Sequence, residues 1–252
     1  MAAFRAFNIG FDSRDEEAAA AAATLPAGAT FIFDVTTQTD LTGTSYNTLQ
    51  DSSGAGRNLS YVSGTKCVKD SGVQLDSNDT LDTANTGDPI YRSAADVDFA
   101  NDLFPNSGVG TMIVVFNADT HPDSFNAPDW IITTSGARDI GCAIVDGPAF
   151  SGQGSGAGTA TVAISVDTWY VGVVRFNATN VRVHVDNGAD TTTAVDSHTV
   201  ATTRMQCFYS AGDGGYFDGH IAFMACWPTV LADADVTTAK AYLKSLFPSL
   251  NV

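Results

Sequence analysis

The middle of the chain repeats one pattern: short runs of β-branched and apolar residues separated by turn residues. Six such runs follow one another between residues 110 and 188, with no helix-length segment between them. In the last run, "NVRVHVDNG", valines alternate with Arg182, His184 and Asp186, so the two sets face opposite sides of a strand. Closely spaced strands with turn signals and no helices between them are typical of an antiparallel sandwich or barrel. We therefore predict an all-β domain.

The first thirty residues do not follow this pattern. Ser13 and Glu16 have the spacing of a helix capping box, and six consecutive alanines follow them. We therefore predict an N-terminal arm with a short helix over residues 1–30, followed by one sandwich domain over residues 31–252.

The chain closes on a strand and a helix. The run "GHIAFMACW" is apolar on both faces, which predicts a strand deep in the structure, and Pro228 ends it. A short helix follows, with Asp233 or Asp235 at its start, where acidic residues favour the helix dipole. The apolar stripe that should pack this helix onto the sandwich consists of Val236, Ala239, Leu243 and Leu246.

The charge balance excludes some classes of partner. The chain carries 12 basic and 28 acidic residues, a net charge of −16, and such a surface repels phosphate backbones. We therefore expect no nucleic-acid partner. No apolar run approaches the roughly eighteen residues of a membrane span, so we expect no membrane contact. Cys67, Cys142, Cys207 and Cys226 have no metal-type spacing and are predicted to be buried free thiols.

Several segments together resemble laminin-G-like domains of the concanavalin A-like lectin/glucanase superfamily. The closing segment "FDGHIAFMACWPTVLADADVTTAKAYLKSLFP" is the longest of them. "LQDSSGAGRNLS" resembles the Asp-x-Ser-Gly-x-Gly turn of the family, and "VQLDSNDTLDT" resembles the strand and turn after it. "TWYVGVVRFNATNVRVHVDNG" resembles a Trp-led strand and hairpin. The four segments stand in family order over residues 31–248, and the resemblance implies an antiparallel jelly-roll β-sandwich with one concave sheet.

Members of this superfamily include glucanases, lyases, lectins and virion proteins. The fold alone therefore does not give the function, and the candidate site residues must distinguish these classes. Retaining glucanases need two carboxyls about 5 Å apart. In the glucanase branch of the superfamily, both carboxyls belong to glutamates on one strand. Glu16 and Glu17 are the only glutamates of this chain. The Arg-Thr-Glu and Gln-Ile-His motifs of the lyase branch are absent, and we interpret His184 as a solvated or hydrogen-bonded strand residue. We therefore expect that the chain is not an enzyme, with a divergent polysaccharide lyase as an alternative.

Glycan binding remains a possible function, because sugars bind aromatic faces flanked by polar groups on a sheet or its loops. The candidate glycan-binding residues are Asp129, Trp130, Arg138, Asp139, Arg182, His184 and Tyr209. We expect no cofactor, with calcium as the one alternative, because the loop "LDSNDTLD" offers several oxygen ligands. The candidate calcium ligands are Asp76, Asp79 and Asp82.

These observations favour a bacteriophage virion protein. The laminin-G-like module carries no glutamate pair, and we expect no secretion signal. We therefore expect assembly in the host cytoplasm and display on the virion surface as a head-decoration protein. We expect the arm to bind other virion proteins, the chain to form a homo-oligomer, and the sandwich to contact host glycans. The alternative is a carbohydrate-binding adhesin or a tail-fibre receptor-binding protein.

Overall fold

A computed structural model gives the fold of the chain. It describes residues 23–83, 89–93, 109–122, 128–134, 140–153, 159–194, 205–208 and 215–252. The predicted N-terminal helix therefore lies outside the described residues.

The described residues form eighteen strands, one 3₁₀ helix at Val35–Thr37 and one α-helix, α1, at Asp233–Leu246. The strands are β1 (Phe31–Asp34), β2 (Leu41–Thr42), β3 (Ser45–Tyr46), β4 (Thr48–Leu49), β5 (Leu59–Ser63), β6 (Val68–Leu75), β7 (Asn78–Asp82), β8 (Ile90–Ser93), β9 (Gly110–Ala118), β10 (Asp129–Thr134), β11 (Gly141–Val145), β12 (Ala149–Gln153), β13 (Thr159–Ala163), β14 (Trp169–Phe176), β15 (Asn180–Val185), β16 (Thr191–Ala194), β17 (Met205–Cys207) and β18 (Gly219–Trp227).

The strands pair into two antiparallel sheets. Within the described residues, the ten-stranded sheet has the order β16-β15-β14-β9-β18-β7-β6-β3-β2, with β1 also paired to β18. The eight-stranded sheet has the order β13-β12-β11-β10-β17-β8-β5-β4. Two antiparallel sheets and a C-terminal helix confirm the predicted sandwich class. The finer assignment to a jelly roll remains a prediction.

Strands β9 and β18 form the centre of the ten-stranded sheet, and every residue in both is buried. One face turns toward the eight-stranded sheet, where Phe116 of β9 stacks on Phe150 of β12 at 5.0 Å between ring centroids. The other face turns toward α1, where Phe223 of β18 meets Tyr242 edge to face at 6.3 Å. Burial of each large apolar side chain contributes about 1.5–3 kcal/mol. Packing on both faces therefore stabilises β9 and β18.

Helix α1 supplies the cover on the outer face of the ten-stranded sheet. The predicted stripe is confirmed, since Val236, Ala239 and Leu243 are buried and Leu246 packs partly against the core. The helix begins at Asp233, and no side chain caps it, because the preceding residue is an alanine. Among the described residues, no helix has the length and apolar character needed to cross a membrane.

The described part of the predicted arm is joined to the sandwich. The indole Nε1 of Trp227 donates to the carbonyl of Pro26 at 3.1 Å, and the backbone N–H of Thr30 donates to the carbonyl of Cys226 at 2.8 Å. All four cysteines are buried and unpaired, as predicted.

The Asp-x-Ser-Gly-x-Gly segment forms a turn around one carboxylate. Asp51 accepts hydrogen bonds from the backbone N–H groups of Ile32, Ser53 and Arg57 at 2.9–3.0 Å. Gly54 and Gly56 have φ of 85° and 72°, a conformation that glycine adopts without a steric penalty. The turn thereby fixes the chain beside β1.

Close contact between the two sheets depends on Gly172. A Cβ at this position would lie 2.5 Å from the Phe150 ring. We expect Gly172→Ala to lower the free energy of unfolding by about 1–3 kcal/mol, because the buried ring must shift. Urea denaturation measures this change. Gly72→Ala is the control, since its Cβ would meet only the Asp70 side chain at 3.1 Å, and it should stay within about 0.5 kcal/mol of wild type. Equal losses in the two variants would contradict the packing described here.

Candidate functional site

A charged pocket of about 230 Å³ opens on the outer face of the ten-stranded sheet, beside the first two turns of α1. We call it the His184 pocket. Its lining comes from β14, β15, the loop before β16, and α1, and consists of Arg175, His184, Gly188, Asp190, Asp233, Val236, Thr237 and Lys240.

The guanidinium of Arg175 joins the walls of the pocket. Arg175 is only 5% exposed, and its Nη2 and Nη1 donate to Asp190 and Asp233 at 2.5 Å each. Nη1 also donates to the carbonyl of Leu231, just before α1. The bond from Arg175 and its charge lower the pKa of Asp233. A buried guanidinium needs such partners, because an unpaired charge there would be costly.

His184 reaches the pocket from the neighbouring strand. Its Nδ1 lies 2.7 Å from Oδ1 of Asp190, so Nδ1 carries the hydrogen when the ring is neutral. Burial lowers the pKa of His184, and the charges of Lys240 and Arg175 lower it further, against the opposing effect of Asp190. Nε2 is buried and has no hydrogen-bond partner within the part of the chain that the structure describes. His184 therefore brings to the pocket lining an imidazole whose acceptor nitrogen is unpartnered among the described residues.

Lys240 of α1 brings an ammonium donor to the pocket lining. Its Nζ donates to the backbone carbonyl of Asp186, the first residue of the Asp-Asn-Gly turn after β15. Asp186 has φ of 48°, which aspartate tolerates in tight turns. Burial lowers the pKa of Lys240, although Asp186 and Asp190 act in the opposite direction. The predicted turn thus restrains the Lys240 ammonium through this hydrogen bond.

The structure separates the predicted glycan-binding residues. Arg182 and His184 lie on the outer face of β15 as predicted: Arg182 is exposed, and the buried His184 is hydrogen-bonded rather than solvated. Asp129 and Trp130 belong to β10 of the other sheet. The Trp130 ring is fully buried and packs against Gly141, so it is corrected from a sugar platform to a core residue. The remaining candidates, Arg138, Asp139 and Tyr209, lie outside the described residues.

Four charged lining residues were not predicted as site residues from the sequence: Arg175, Asp190, Asp233 and Lys240. Arg175 did leave a signal, because it is the one charged residue in the strand "WYVGVVRF". The two aspartates resemble ordinary turn and helix-start residues, and Lys240 resembles an ordinary helix lysine. Only the packing of α1 over β14 and β15 brings them together.

A second polar cluster surrounds His220 on the same sheet. Its Nε2 lies 3.4 Å from Asp119, and its Nδ1 lies 4.0 Å from Asp70 and 3.3 Å from the hydroxyl of Thr80. Burial lowers the pKa of His220, but the bond to Asp119 and the charges of Asp119, Asp82 and Asp70 together raise it above its ordinary value.

Asp129 of the other sheet has its pKa raised to about 7 by burial. The charge of Asp218 raises this pKa further, and the charge of His121 lowers it.

The three candidate calcium ligands do not form one ligand set. Asp76 accepts from the backbone and hydroxyl of Ser249, and Asp79 pairs with Lys69 at 3.1 Å. Asp82 faces His220 in strand register. Within the described residues, no group of three His, Cys, Asp or Glu side chains is placed to hold a metal ion.

Comparison with known proteins shows similarity of fold. No family model and no curated protein matches the sequence. Among solved structures, the chain is similar to domain 4 of AbnA, a GH43 extracellular arabinanase from Geobacillus stearothermophilus, in complex with arabinotriose. The TM-score is 0.58 at 10% identity, over 85% of this chain and 98% of that one.

Two further solved structures share the sandwich. The binding domain of botulinum neurotoxin DC in complex with SialylT has a TM-score of 0.56 at 9% identity, over 85% of this chain and 52% of that one. A GH54 α-L-arabinofuranosidase soaked with a cyclic sulfate inhibitor has a TM-score of 0.60 at 11% identity, over 81% of this chain and 51% of that one. The chain thus spans about half the length of these two structures, and at such identities the likeness shows the fold alone.

These neighbours are glycan-related β-sandwich structures, and they correct one expectation. The prediction that the chain is not an enzyme is contradicted, because the same sandwich occurs in solved structures of glycoside hydrolases. The missing glutamate pair excludes one catalytic arrangement, not the enzyme class. The reported structures give no support to a bacteriophage role, so the virion location and the arm-mediated assembly stay predictions.

The two histidines should titrate in opposite directions from the ordinary value of 6.5. His184, whose pKa is lowered, contributes stability above pH 6.5 that is lost as the pH falls through its folded pKa. His220, whose pKa is raised, contributes stability below pH 6.5 that is lost as the pH rises through its folded pKa. Long-range ¹H–¹⁵N NMR spectra, assigned with His184→Gln and His220→Gln, measure both. A protonated His184 at pH 7, or a hydrogen on its Nε2, would contradict this assignment.

The pairing of Arg175 predicts unequal effects of its two carboxylate partners. Asp190→Asn should lower the free energy of unfolding by about 1.5–3 kcal/mol, because it weakens bonds to both Arg175 and His184. Asp233→Asn should cost less, since that carboxylate is 90% exposed and water can replace it. Urea denaturation at pH 7.5 compares them, and a larger loss for Asp233→Asn would contradict the described network.

Proposed function

We propose that this chain is a carbohydrate-binding β-sandwich domain whose saccharide site is the His184 pocket. The observation that carries the proposal is the bare, buried Nε2 of His184, which shares one pocket with the carboxylates of Asp190 and Asp233 and the ammonium of Lys240. A sugar hydroxyl donates one hydrogen bond and accepts others. Adjacent hydroxyls can therefore satisfy the acceptors and the lysine donor together.

The pocket walls are held in place before any ligand arrives. Arg175 fixes Asp190 and Asp233, Asp190 orients His184, and the Asp186 carbonyl restrains Lys240. Binding groups that are already ordered lose less conformational entropy when a ligand binds. This preorganisation favours recognition of a weakly binding, strongly hydrated ligand such as a sugar.

The comparisons support the same function class. The arabinanase domain, which the chain matches over nearly its full length, is described in complex with arabinotriose, and the toxin binding domain in complex with SialylT. Those ligands belong to those proteins. The shared fold and the polar pocket lead us to propose saccharide binding here, in agreement with the adhesin alternative rather than with head decoration.

A glycan array followed by calorimetric titration tests the proposal on the full chain. We expect at least one saccharide to bind, and Lys240→Met to weaken it about tenfold or more, because a charge-assisted hydrogen bond contributes about 1.5–3 kcal/mol. Lys244→Met is the matched control, one turn further along α1 and outside the pocket lining, and should leave the affinity unchanged. Failure of every saccharide to bind, or equal losses in the two variants, would refute the proposal.

A further inference from the structure

The His184 pocket has an unbalanced set of hydrogen-bonding groups. Arg175 is paired with two carboxylates, whereas Lys240 bonds to the neutral carbonyl of Asp186 and keeps further N–H donors. Within the described residues, the acceptors are the unpartnered Nε2 of His184 and the carboxylate oxygens of Asp190 and Asp233, and the donors are Lys240 and the unpartnered Nε of Arg175. Counting two lone pairs on each carboxylate oxygen, acceptor sites outnumber donors. A ligand that fits must therefore bring donors.

We propose that the His184 pocket selects an uncharged sugar ring and rejects sialic and uronic acids. The inference rests on the proposed function and specifies its substrate class. The Lys240 ammonium would attract a sugar carboxylate, but the carboxylates of Asp190 and Asp233 and the lone pair of His184 Nε2 would repel it. A ring hydroxyl would instead donate to any of them.

The surrounding charge acts in the same direction. Asp186 lies behind Lys240, and the chain as a whole carries a net charge of −16. Arg182 lies outside the lining, and its charge acts on Asp233, whose pKa it helps to lower. The carboxylates of Asp186, Asp190 and Asp233 therefore outnumber the two cations of the described lining, Arg175 and Lys240.

The volume of the pocket limits the ligand to one ring. At about 230 Å³ it lies below the roughly 300–1,000 Å³ of sites for drug-sized molecules. The pocket opens at Asp233, whose side chain is 90% exposed, so the rest of an oligosaccharide can extend into solvent there. The pocket would therefore discriminate between saccharides through the single sugar unit that enters it.

Two series of sugars isolate the effect of charge. L-Arabinose, D-galactose and D-galacturonic acid share their ring hydroxyl arrangement and differ only in the C5 substituent, which is a hydrogen, a hydroxymethyl group or a carboxylate. D-Xylose, D-glucose and D-glucuronic acid form the second series. Titrations of the full chain at pH 7.5 and low salt, followed by ¹H–¹⁵N NMR, report the affinity and whether the signals of His184 and Lys240 shift.

We expect a neutral member of one series to bind in the pocket at least tenfold more tightly than the acid of that series, and the array hits to be uncharged. Asp233→Asn should narrow the gap, because it removes one repelling carboxylate. Binding of a uronic or sialic acid as tightly through His184 and Lys240 would overturn the inference, leave the proposed function standing, and favour the lyase alternative. Absence of any saccharide binding would overturn both.

Discussion

Burial of β18 and β9 on both faces is the constraint on which the rest of the structure depends. The eight-stranded sheet covers one face, with Phe150 packed on Phe116 and against Gly172. The other face needs a second cover, and α1 supplies it through an apolar stripe and the contact of Tyr242 with Phe223. Because the hydrophobic effect scales with buried area, the helix is required to protect these strands. The helix is therefore part of the core, although it lies close to the C-terminus.

The site is a consequence of that cover. Arg175 of β14 lies at the start of α1, before the apolar stripe begins at Val236, and its buried guanidinium requires carboxylate partners. Asp233 from the helix and Asp190 from the loop before β16 meet this requirement, and Asp190 in turn orients His184. The same contacts that anchor the helix thus build a pocket with a neutral imidazole in it. Stability and binding are coupled at Arg175, so a variant of Asp190 affects both.

Elements with local signals could be predicted from the sequence, and elements that depend on distant packing could not. The alternation in β15, the α1 stripe and the Asp51 turn are each encoded within a few residues, and the structure bears them out. Trp130 was misassigned because an aromatic beside Asp129 has the same local pattern whether it lies in the core or on a surface. Of the described pocket lining, His184 alone was predicted as a site residue, and Asp190 and Lys240 meet it through the placement of the loop and the helix. Residues 56 positions apart, such as His184 and Lys240, leave no periodic signal.

The most direct test of the account is a crystal structure of the full chain soaked with the oligosaccharide that binds most tightly in the glycan array. The account predicts one sugar ring in the His184 pocket, with a hydroxyl within about 3 Å of His184 Nε2 and another bonded to Asp190 or Lys240. The remaining rings should leave past Asp233 into solvent. An ordered sugar bound elsewhere, with only water against Nε2, would contradict the assignment of this pocket as the saccharide site.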